Sequence, residues 1–273
     1  MKIKLNDEKY YFQTMEQKRQ GAEQWILLHG FMGSAADFQQ ITPALAGSCI
    51  IPDLLGHGHS LTAAPASRFS IERQAADMAA LITRKLVPPV NVWGYSMGGR
   101  LALQLTLTYP HLVKFLVLES ATAGITAPAA RRLRQQHDAQ LALKLQREPL
   151  ANFVAAWEKL PLFASQQKLP FAKRTFVHKQ RMGQHANCLA ASLRGMGTGQ
   201  MPDLWPELSK IKVPVLLLCG EYDSKYQHLT AKLQHEIPNA FRKVIPQAGH
   251  NVHLEQPQAV LQALGRIETH ENN

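Results

Sequence analysis

Cysteine is scarce in this sequence, and the three cysteines that it has are scattered. Cys49, Cys188 and Cys219 lie far apart, without the close spacing of metal ligands. A sparse and odd set excludes a disulfide framework and favours a reducing compartment, so we expect a cytoplasmic protein. No cluster of ligand residues predicts a metal site, and we expect no metal and no organic cofactor.

Long apolar runs are also missing. No stretch approaches the roughly 18 consecutive apolar residues of a membrane span. No apolar run follows a basic segment at the N-terminus, so we expect no signal peptide. Hydrophobic residues still make up 45% of the 273 residues. That content is enough for one large domain with a substantial core, and it leaves room for an inserted lobe.

Acidic residues are outnumbered, since 20 Asp and Glu face 30 Lys and Arg for a net charge of +10. Such a balance fits either a nucleic acid or a small anionic substrate. Basic residues cluster at 131–137 and 171–181, but neither segment resembles a nucleic-acid-binding module, and the simplest interpretation is a solvated helix face. We therefore expect a small, multiply anionic substrate, no nucleic acid, no membrane, and a monomer or weak homo-oligomer.

Apolar strand-like runs alternate with helical periods along most of the chain. This alternation predicts an α/β fold with a mostly parallel central sheet flanked by helices. Sites in such sheets lie beyond the carboxyl ends of the strands, where several of these runs carry polar residues. The strand-like runs are 25–30, 49–53, 90–96, 114–120 and 213–223, and the clearest helical periods are 70–86 and 98–110.

Residues 124–205, here called the insertion, interrupt this alternation. They are rich in Ala, Gln, Arg and Lys, and prolines separate helical segments. Strand and helix patterns resume after them. We expect a core formed by 1–123 and 206–273, with the insertion as a helical cap over the site.

The segment Gly94-Tyr95-Ser96-Met97-Gly98 matches the G-x-S-x-G nucleophile elbow. This turn leads from a strand directly into a helix, so the flanking positions require residues with little side-chain bulk. Here the pattern follows an apolar strand and opens a helix. Ser96 is therefore the expected catalytic serine.

The histidine and the acid should follow the serine in the order acid, then histidine. His250 lies between a strand-like and a helix-like segment, and Asp223 closes the run LLLCGEYD. Glu119 and Glu221 are rival candidates for the acid. We predict a catalytic set of Ser96, Asp223 and His250.

Two backbone N–H groups should form an oxyanion hole, one after the nucleophile and one in an early strand-to-helix loop. Met97 and Phe31 are the expected donors. His29 and His57 are expected to make structural hydrogen bonds in their loops. His253 lies near His250, but an exposed helix start explains it equally well.

The motifs together resemble the α/β-hydrolase superfamily over nearly the whole chain. A narrower set resembles the 2-succinyl-6-hydroxy-2,4-cyclohexadiene-1-carboxylate synthases of menaquinone (vitamin K2) biosynthesis. The resemblance implies an α/β-hydrolase fold and a carbon–oxygen lyase that eliminates pyruvate from 2-succinyl-5-enolpyruvoyl-6-hydroxy-3-cyclohexene-1-carboxylate. The superfamily segments are HGFMGS, PDLLGHGHS, GYSMGGR, LCGEYDSKY and AGHNVHLEQP, and LRGMGTGQMPDLW adds to the narrower set.

The resemblance also implies roles for particular positions. The activated serine would remove a proton from the substrate, although the same three side chains also serve a nucleophile. In the insertion, Arg131 or Arg132 could replace Arg134 as the carboxylate ligand. The substrate-binding positions implied by the family are Tyr95, Arg100, Arg134, Trp157 and Arg181.

Arg100 lies one helical turn beyond Ser96, on the same face of the helix. A guanidinium group binds a carboxylate through two parallel hydrogen bonds, which suits a substrate with several carboxylates. The alternative is a buried structural arginine paired with a carboxylate such as Glu119.

Two further functions stay open. One is a serine hydrolase that cleaves esters or carbon–carbon bonds of an anionic substrate, and the other is a non-catalytic receptor.

Overall fold

The centre of the fold is a mostly parallel β-sheet, seen in a computed structural model that describes residues 1–16 and 23–270, the last five through their backbone alone. In the described chain the sheet has eight strands in the order β1-β2-β4-β3-β5-β6-β7-β8. The first two strands are antiparallel to their neighbours, and the others are parallel. The strands are β1 (Lys2–Leu5), β2 (Glu8–Met15), β3 (Gln24–Leu28), β4 (Ser48–Pro52), β5 (Val90–Tyr95), β6 (Val113–Glu119), β7 (Val215–Gly220) and β8 (Ala240–Ile245).

The helices cover the sheet and continue beyond its carboxyl edge. Ser70 caps the first of them, and its side chain accepts a hydrogen bond from the Arg73 amide. None of the described helices is both long and apolar enough to span a membrane. They are α1 (Ile71–Lys85), α2 (Met97–Thr108), α3 (Pro128–Arg147), α4 (Leu150–Glu158), α5 (Phe171–Met182), α6 (Ala186–Met196), α7 (Ser224–Glu236), α8 (Val252–Glu255) and α9 (Pro257–His270).

The central strands bury both of their faces. Ile26 and Val92 belong to the hydrophobic cluster on one face of the sheet, and the adjacent Leu27 and Trp93 belong to the cluster on the other. Successive side chains of a strand point to opposite faces, so a strand buried on both sides has to be apolar throughout. This requirement explains the continuous apolar runs in the sequence.

The N-terminal hairpin formed by β1 and β2 was not predicted. Its strands lie at the edge of the sheet, and only alternate residues are buried, such as Tyr10 and Phe12. A half-buried strand shows alternation rather than a continuous apolar run. The hairpin therefore gives a weaker sequence signal than the central strands.

The insertion contains helices α3 to α6, which lie between β6 and β7 in the chain. Helices α3 and α6 pack along each other. Phe153, Val154 and Leu189 belong to a small hydrophobic cluster that also includes Met32 of the core. These helices therefore rest on the loop that follows β3, at the carboxyl edge of the sheet.

Candidate active site

Ser96 lies in a sharp turn between β5 and α2. Its backbone has φ 51° and ψ −102°, a conformation that residues other than glycine rarely adopt. A Cβ atom at Gly94 would lie 2.3 Å from the carbonyl oxygen of Gly98, and one at Gly98 would lie 2.0 Å from that of Leu28. Both flanking glycines are therefore required by close backbone approach, and the turn presents the serine side chain at the strand end.

Ser96, His250 and Asp223 form a continuous hydrogen-bonded chain. The distance from Ser96 Oγ to His250 Nε2 is 3.0 Å, and the distance from His250 Nδ1 to Asp223 Oδ2 is 2.7 Å. An ionised carboxylate can only accept hydrogen bonds, so Nδ1 carries the proton and donates to Asp223. Nε2 is then an acceptor, which positions it to take the serine proton.

Asp223 has two structural partners at once. While Oδ2 accepts from His250, Oδ1 accepts from the Tyr226 amide at 3.2 Å and caps the N-terminus of α7. The imidazole of His250 is nearly buried, and the Tyr226 ring packs on it at 4.7 Å between centroids. The acid and the histidine are therefore both held in fixed orientations by their surroundings.

The two rival acids have other partners in the structure. Glu221 is exposed and accepts a hydrogen bond from the Gln247 amide through Oε2. Glu119 is fully buried and pairs with His253 rather than with His250. The alternative of an exposed helix start for His253 was wrong, because this imidazole has no exposed surface and pairs with Glu119 at the end of β6.

The expected oxyanion donors lie in two segments next to the site, since Met97 directly follows Ser96 and Phe31 lies in the loop after β3. Phe31 and Met97 line the same cavity as Ser96. In the described chain, neither of their backbone N–H groups donates a hydrogen bond to another protein group. Two unpaired donors beside the serine are the arrangement that stabilises a developing oxyanion.

The loop histidines have the structural contacts that the sequence predicts. His29 Nε2 accepts from the Leu54 amide at 2.9 Å, while its Nδ1 lies 2.7 Å from the Gly30 carbonyl oxygen. Burial lowers the pKa of His29 to about 4 and that of His57 to about 3. Both imidazoles are therefore neutral near pH 7, and neither lies at the serine.

A cavity of about 380 Å³ opens in front of the serine, between the carboxyl edge of the sheet and the insertion. Apolar and aromatic side chains form much of its wall, and polar groups lie at separate points along it. Its lining includes Phe31, Tyr95, Ser96, Met97, Arg100, Arg134, Leu141, Trp157, Leu160, Phe163, Ser192, Met196, Thr198, Lys225, Tyr226 and His250.

Arg100 lines this cavity and is 7% exposed. Its Nη1 atom donates to the Met196 carbonyl at 2.7 Å, and among residues 1–16 and 23–265 no carboxylate pairs with it. The alternative of a structural ion pair with Glu119 was therefore wrong. Burial, with a smaller contribution from the positive charge of Arg134, lowers the pKa of Arg100 to about 10, so the group stays protonated at pH 7.

Arg134 is the arginine of α3 that reaches the cavity. It donates from Nε to Asp138 at 2.8 Å, and both side chains line the cavity. Arg131 donates instead to the Met201 carbonyl, and Arg132 is exposed. The structure thus favours Arg134 among the three candidates.

Tyr95 and Trp157 also line the cavity, whereas Arg181 does not. Burial, reinforced by the charge of Glu119, raises the pKa of Tyr95 well above its usual value, so its phenol is neutral. Arg181 bonds to Glu158 at 3.3 Å and to Gln166 at 3.0 Å. Its guanidinium packs over the ring of Phe163, 4.8 Å from the centroid, and Phe163 in turn lines the cavity.

Lys225 and Tyr226 are lining residues that the sequence analysis did not select. They occupy the first turn of α7, immediately after its N-cap, Asp223. The sequence contained a signal for these two residues. Asp223 caps a helix at the end of a strand, and the residues that follow such a cap begin that helix beside the site. Arg100, Arg134 and Lys225 together give the cavity three cationic side chains.

Comparison with known proteins agrees with this geometry. Residues 26–257 match the family model described as the alpha/beta hydrolase fold. The chain is thus an α/β hydrolase in fold, with a serine–histidine–aspartate arrangement at the usual edge of the sheet.

More specific relatives define the family. A protein of Bacillus subtilis (strain 168), provisionally named a 2-succinyl-6-hydroxy-2,4-cyclohexadiene-1-carboxylate synthase, is 41% identical over 87% of each chain. The synthase of that name from Escherichia coli O1:K1 / APEC is 34% identical over 89% of this chain and 92% of its own. The structure of MenH from S. aureus superposes with a TM-score of 0.92 at 31% identity, covering 96% of this chain and 99% of the other. The chain belongs to the 2-succinyl-6-hydroxy-2,4-cyclohexadiene-1-carboxylate synthase family, and the resemblance in its motifs is confirmed.

Proposed function

We propose that this chain is the carbon–oxygen lyase of menaquinone biosynthesis that its relatives are named for. It eliminates pyruvate from 2-succinyl-5-enolpyruvoyl-6-hydroxy-3-cyclohexene-1-carboxylate. The observation that carries this proposal is the buried Arg100, which pairs with no carboxylate of residues 1–16 and 23–265 and lines the same cavity as Ser96. A fixed cation at that place suits a substrate with several carboxylates and gives no advantage with a neutral ester.

The two chemical names define the bond changes. The ring double bond of the substrate is at C3, and those of the product are at C2 and C4, so a proton leaves C2 and the enolpyruvoyl oxygen leaves C5. The C2 proton is acidic because the adjacent succinyl group carries a ketone. Removing it places negative charge on the ketone oxygen, and the returning electron pair breaks the C5–O bond and expels the enolate of pyruvate, which takes up a proton at its methylene carbon to become pyruvate.

Ser96 and His250 supply the base for this reaction. His250 Nε2 takes the proton of the serine hydroxyl, and the serine oxygen removes the C2 proton. Asp223 holds the imidazole in the required tautomer and stabilises the imidazolium that forms. The same groups would serve acyl transfer equally well, so the triad geometry alone does not distinguish a lyase from a hydrolase.

The amides of Phe31 and Met97 face the developing enolate oxygen in this proposal. Removing one such donor commonly costs about 3–4 kcal/mol of transition-state stabilisation. The neutral phenol of Tyr95 and the ring of Trp157 pack beside the bound ring of the substrate. No step of the scheme needs a redox change.

Arg100, Arg134 and Lys225 bind the substrate carboxylates in this proposal. Each charge-assisted hydrogen bond is worth about 1.5–3 kcal/mol. Arg181 reaches a carboxylate only by exchanging its partner Glu158 for the substrate. We infer that residues 124–205 act as a cap over the core formed by 1–123 and 206–273, with Arg134 facing the ligand.

A serine hydrolase acting on an anionic ester or carbon–carbon bond is the second candidate, supported by the 3.0 Å contact between Ser96 and His250. The deciding experiment incubates the protein with the enolpyruvoyl precursor and measures pyruvate. We expect release that is lost in Ser96→Ala. Pyruvate at the background rate, together with cleavage of a carboxylated ester, would reject the lyase and support the hydrolase.

A further inference from the structure

A second acid–histidine pair lies behind the first and takes no part in the proposed chemistry. His253 Nδ1 lies 2.9 Å and 2.8 Å from the two carboxylate oxygens of Glu119, and neither residue has exposed surface. The carboxylate accepts, so Nδ1 donates. Burying such a pair costs desolvation free energy. The other hydrogen bonds of Glu119 indicate what the pair contributes in return.

Glu119 holds the loop that carries His250. Its Oε1 atom accepts from the backbone amides of Val252 at 2.7 Å and His253 at 3.1 Å. These amides follow His250 by two and three residues and begin α8. The carboxylate thereby fixes the backbone just after the catalytic imidazole.

Glu119 also holds the turn that carries Ser96. Its backbone carbonyl accepts from the Ser96 amide at 2.8 Å, and its Oε2 accepts from Trp93 Nε1 at 3.1 Å. Tyr95 is its direct partner in the β5–β6 register. A single residue is therefore bonded to both sides of the contact between Ser96 and His250.

Aromatic packing closes the gap between the two histidines. The ring of Tyr95 lies 5.5 Å from that of His250 and 5.3 Å from that of His253, so it contacts both. On its other side, His253 stacks on Phe38 at 4.6 Å with an angle of 9° between the rings. Movement of His253 would displace the ring that separates the two imidazoles.

We propose that the buried Glu119–His253 pair is a positioning device that sets the separation of Ser96 Oγ and His250 Nε2. This inference rests on the roles proposed above for Ser96 and His250. Neither Glu119 nor His253 touches substrate, since neither lines the cavity. Their effect on rate acts through the placement of the two catalytic side chains.

The test measures serine reactivity with a fluorophosphonate, which needs no lyase substrate. Three variants weaken the pair by increasing amounts. Trp93→Phe removes one donor to the carboxylate, His253→Gln removes the imidazole, and Glu119→Gln removes the charge. We expect the second-order inactivation rate to fall at least threefold, tenfold and thirtyfold, respectively. In pyruvate release, kcat should fall by similar factors while KM stays within twofold.

The matched control is Asp77→Asn. Asp77 is also fully buried and pairs with Arg68 and Tyr10, but it lies on α1, away from the cavity. This variant should lose stability and still react within twofold of the unmodified chain. The comparison separates positioning from a general loss of packing.

Trp93→Phe is the mildest variant and keeps an aromatic ring at its position. It should fold even if Glu119→Gln does not, so the proposal can still be tested. Rates within twofold of the unmodified chain in every folded variant would overturn the proposal. A fall in Asp77→Asn as large as in His253→Gln would also overturn it. If the unmodified chain reacts with the fluorophosphonate but releases no pyruvate, the lyase function is rejected. The labelling rates of the variants would then test the positioning role by themselves.

Discussion

Arg100 donates from Nη1 to the backbone carbonyl of Met196 at 2.7 Å, at the point where α6 ends. This bond uses one N–H of a group that has five. Nη1 also contacts Met201 Sδ at 3.9 Å, while Nε and Nη2 bond to no protein group among the described residues. The bond to Met196 connects the core helix α2 to the insertion. A ligand carboxylate at Arg100 would therefore meet a guanidinium whose position is already fixed.

Replacing Arg100 with alanine should separate the two candidate reactions. Loss of a charge-assisted contact of about 2–3 kcal/mol corresponds to roughly a 30- to 150-fold fall in kcat/KM for pyruvate release. Cleavage of a neutral p-nitrophenyl ester should change less than about threefold. Parallel assays of the two substrates check this, with Arg73→Ala, an exposed position on α1, as the control. Equal losses on both substrates would contradict an anion-binding role.

Asp223→Asn should abolish most activity and preserve the fold. An asparagine caps a helix about as well as an aspartate, so α7 should keep its N-cap. The amide can no longer hold Nδ1–H of His250 as the carboxylate does, and the tautomer is lost; we expect kcat to fall on the order of 10³-fold or more. Kinetics and thermal melting of the same preparation provide the measurement.

Asp203→Asn is the matched control for that variant. Asp203 accepts from the Trp205 amide at 3.2 Å and is likewise an aspartate at the start of a helical turn. Its replacement should leave kcat unchanged. Activity above a tenth of normal in Asp223→Asn would contradict the assignment of Asp223 as the orienting acid.

Stability should decline in mild acid because of the buried loop histidines. The folded-state pKa values of about 4 for His29 and about 3 for His57 lie below the ordinary value near 6.5. Below pH 6.5 the unfolded chain therefore binds more protons than the folded one. Their contribution is fully present above that pH and is lost as the pH falls towards the folded-state values.

Between pH 6.5 and 4.5 each of these histidines should remove about 2–3 kcal/mol from the free energy of unfolding. Urea titrations across this range measure the loss. The slope of the unfolding free energy against pH gives the number of protons taken up on unfolding. His29→Gln should reduce this number by up to one, while replacing the exposed His111 should not change it. An unfolding free energy that is flat over this range would refute the interpretation.

Gln184 should control how firmly the insertion is attached to the core. Its Nε2 donates to the Gly33 carbonyl at 3.0 Å, and its Oε1 accepts from the Gly58 amide at 3.0 Å. Gln184→Leu leaves both backbone groups unsatisfied, which should cost about 1–3 kcal/mol. Hydrogen exchange should become faster in residues 171–196.

Gln146→Leu is the control, because Gln146 accepts from Arg194 at an exposed site within the insertion. It should leave both exchange and stability near normal. Unchanged exchange in Gln184→Leu would show that the apolar cluster around Met32 is sufficient to hold the insertion in place.

Much of the fold and of the catalytic geometry could be predicted from sequence because the signals are local. Ser96 lies in a five-residue motif whose glycines are dictated by backbone contacts within the same turn. Asp223 and His250 each close a continuous apolar or strand-like run, and parallel strands bring such ends to one edge. The family resemblance and the mostly parallel sheet were confirmed on this basis.

Two features that the sequence did not reveal depend on residues distant in sequence, namely the partner of His253 and the partner of Arg181. The sequence around His253 does not predict that its buried partner is Glu119, which lies more than a hundred residues earlier. The direction of the Arg181 side chain likewise depends on Glu158, one helix away, and periodicity does not reveal which face of a mostly polar helix meets the cavity. The β1–β2 hairpin was missed because a half-buried edge strand lacks a continuous apolar run.

The contact between Gly98 and the Leu28 carbonyl has a consequence for how this scaffold changes over time. Because the serine turn meets the end of β3 through main-chain atoms, the side chains of the cavity wall can change without altering that contact. New pocket chemistry can therefore arise around an unaltered serine. A scaffold with this property can serve elimination in one lineage and hydrolysis in another.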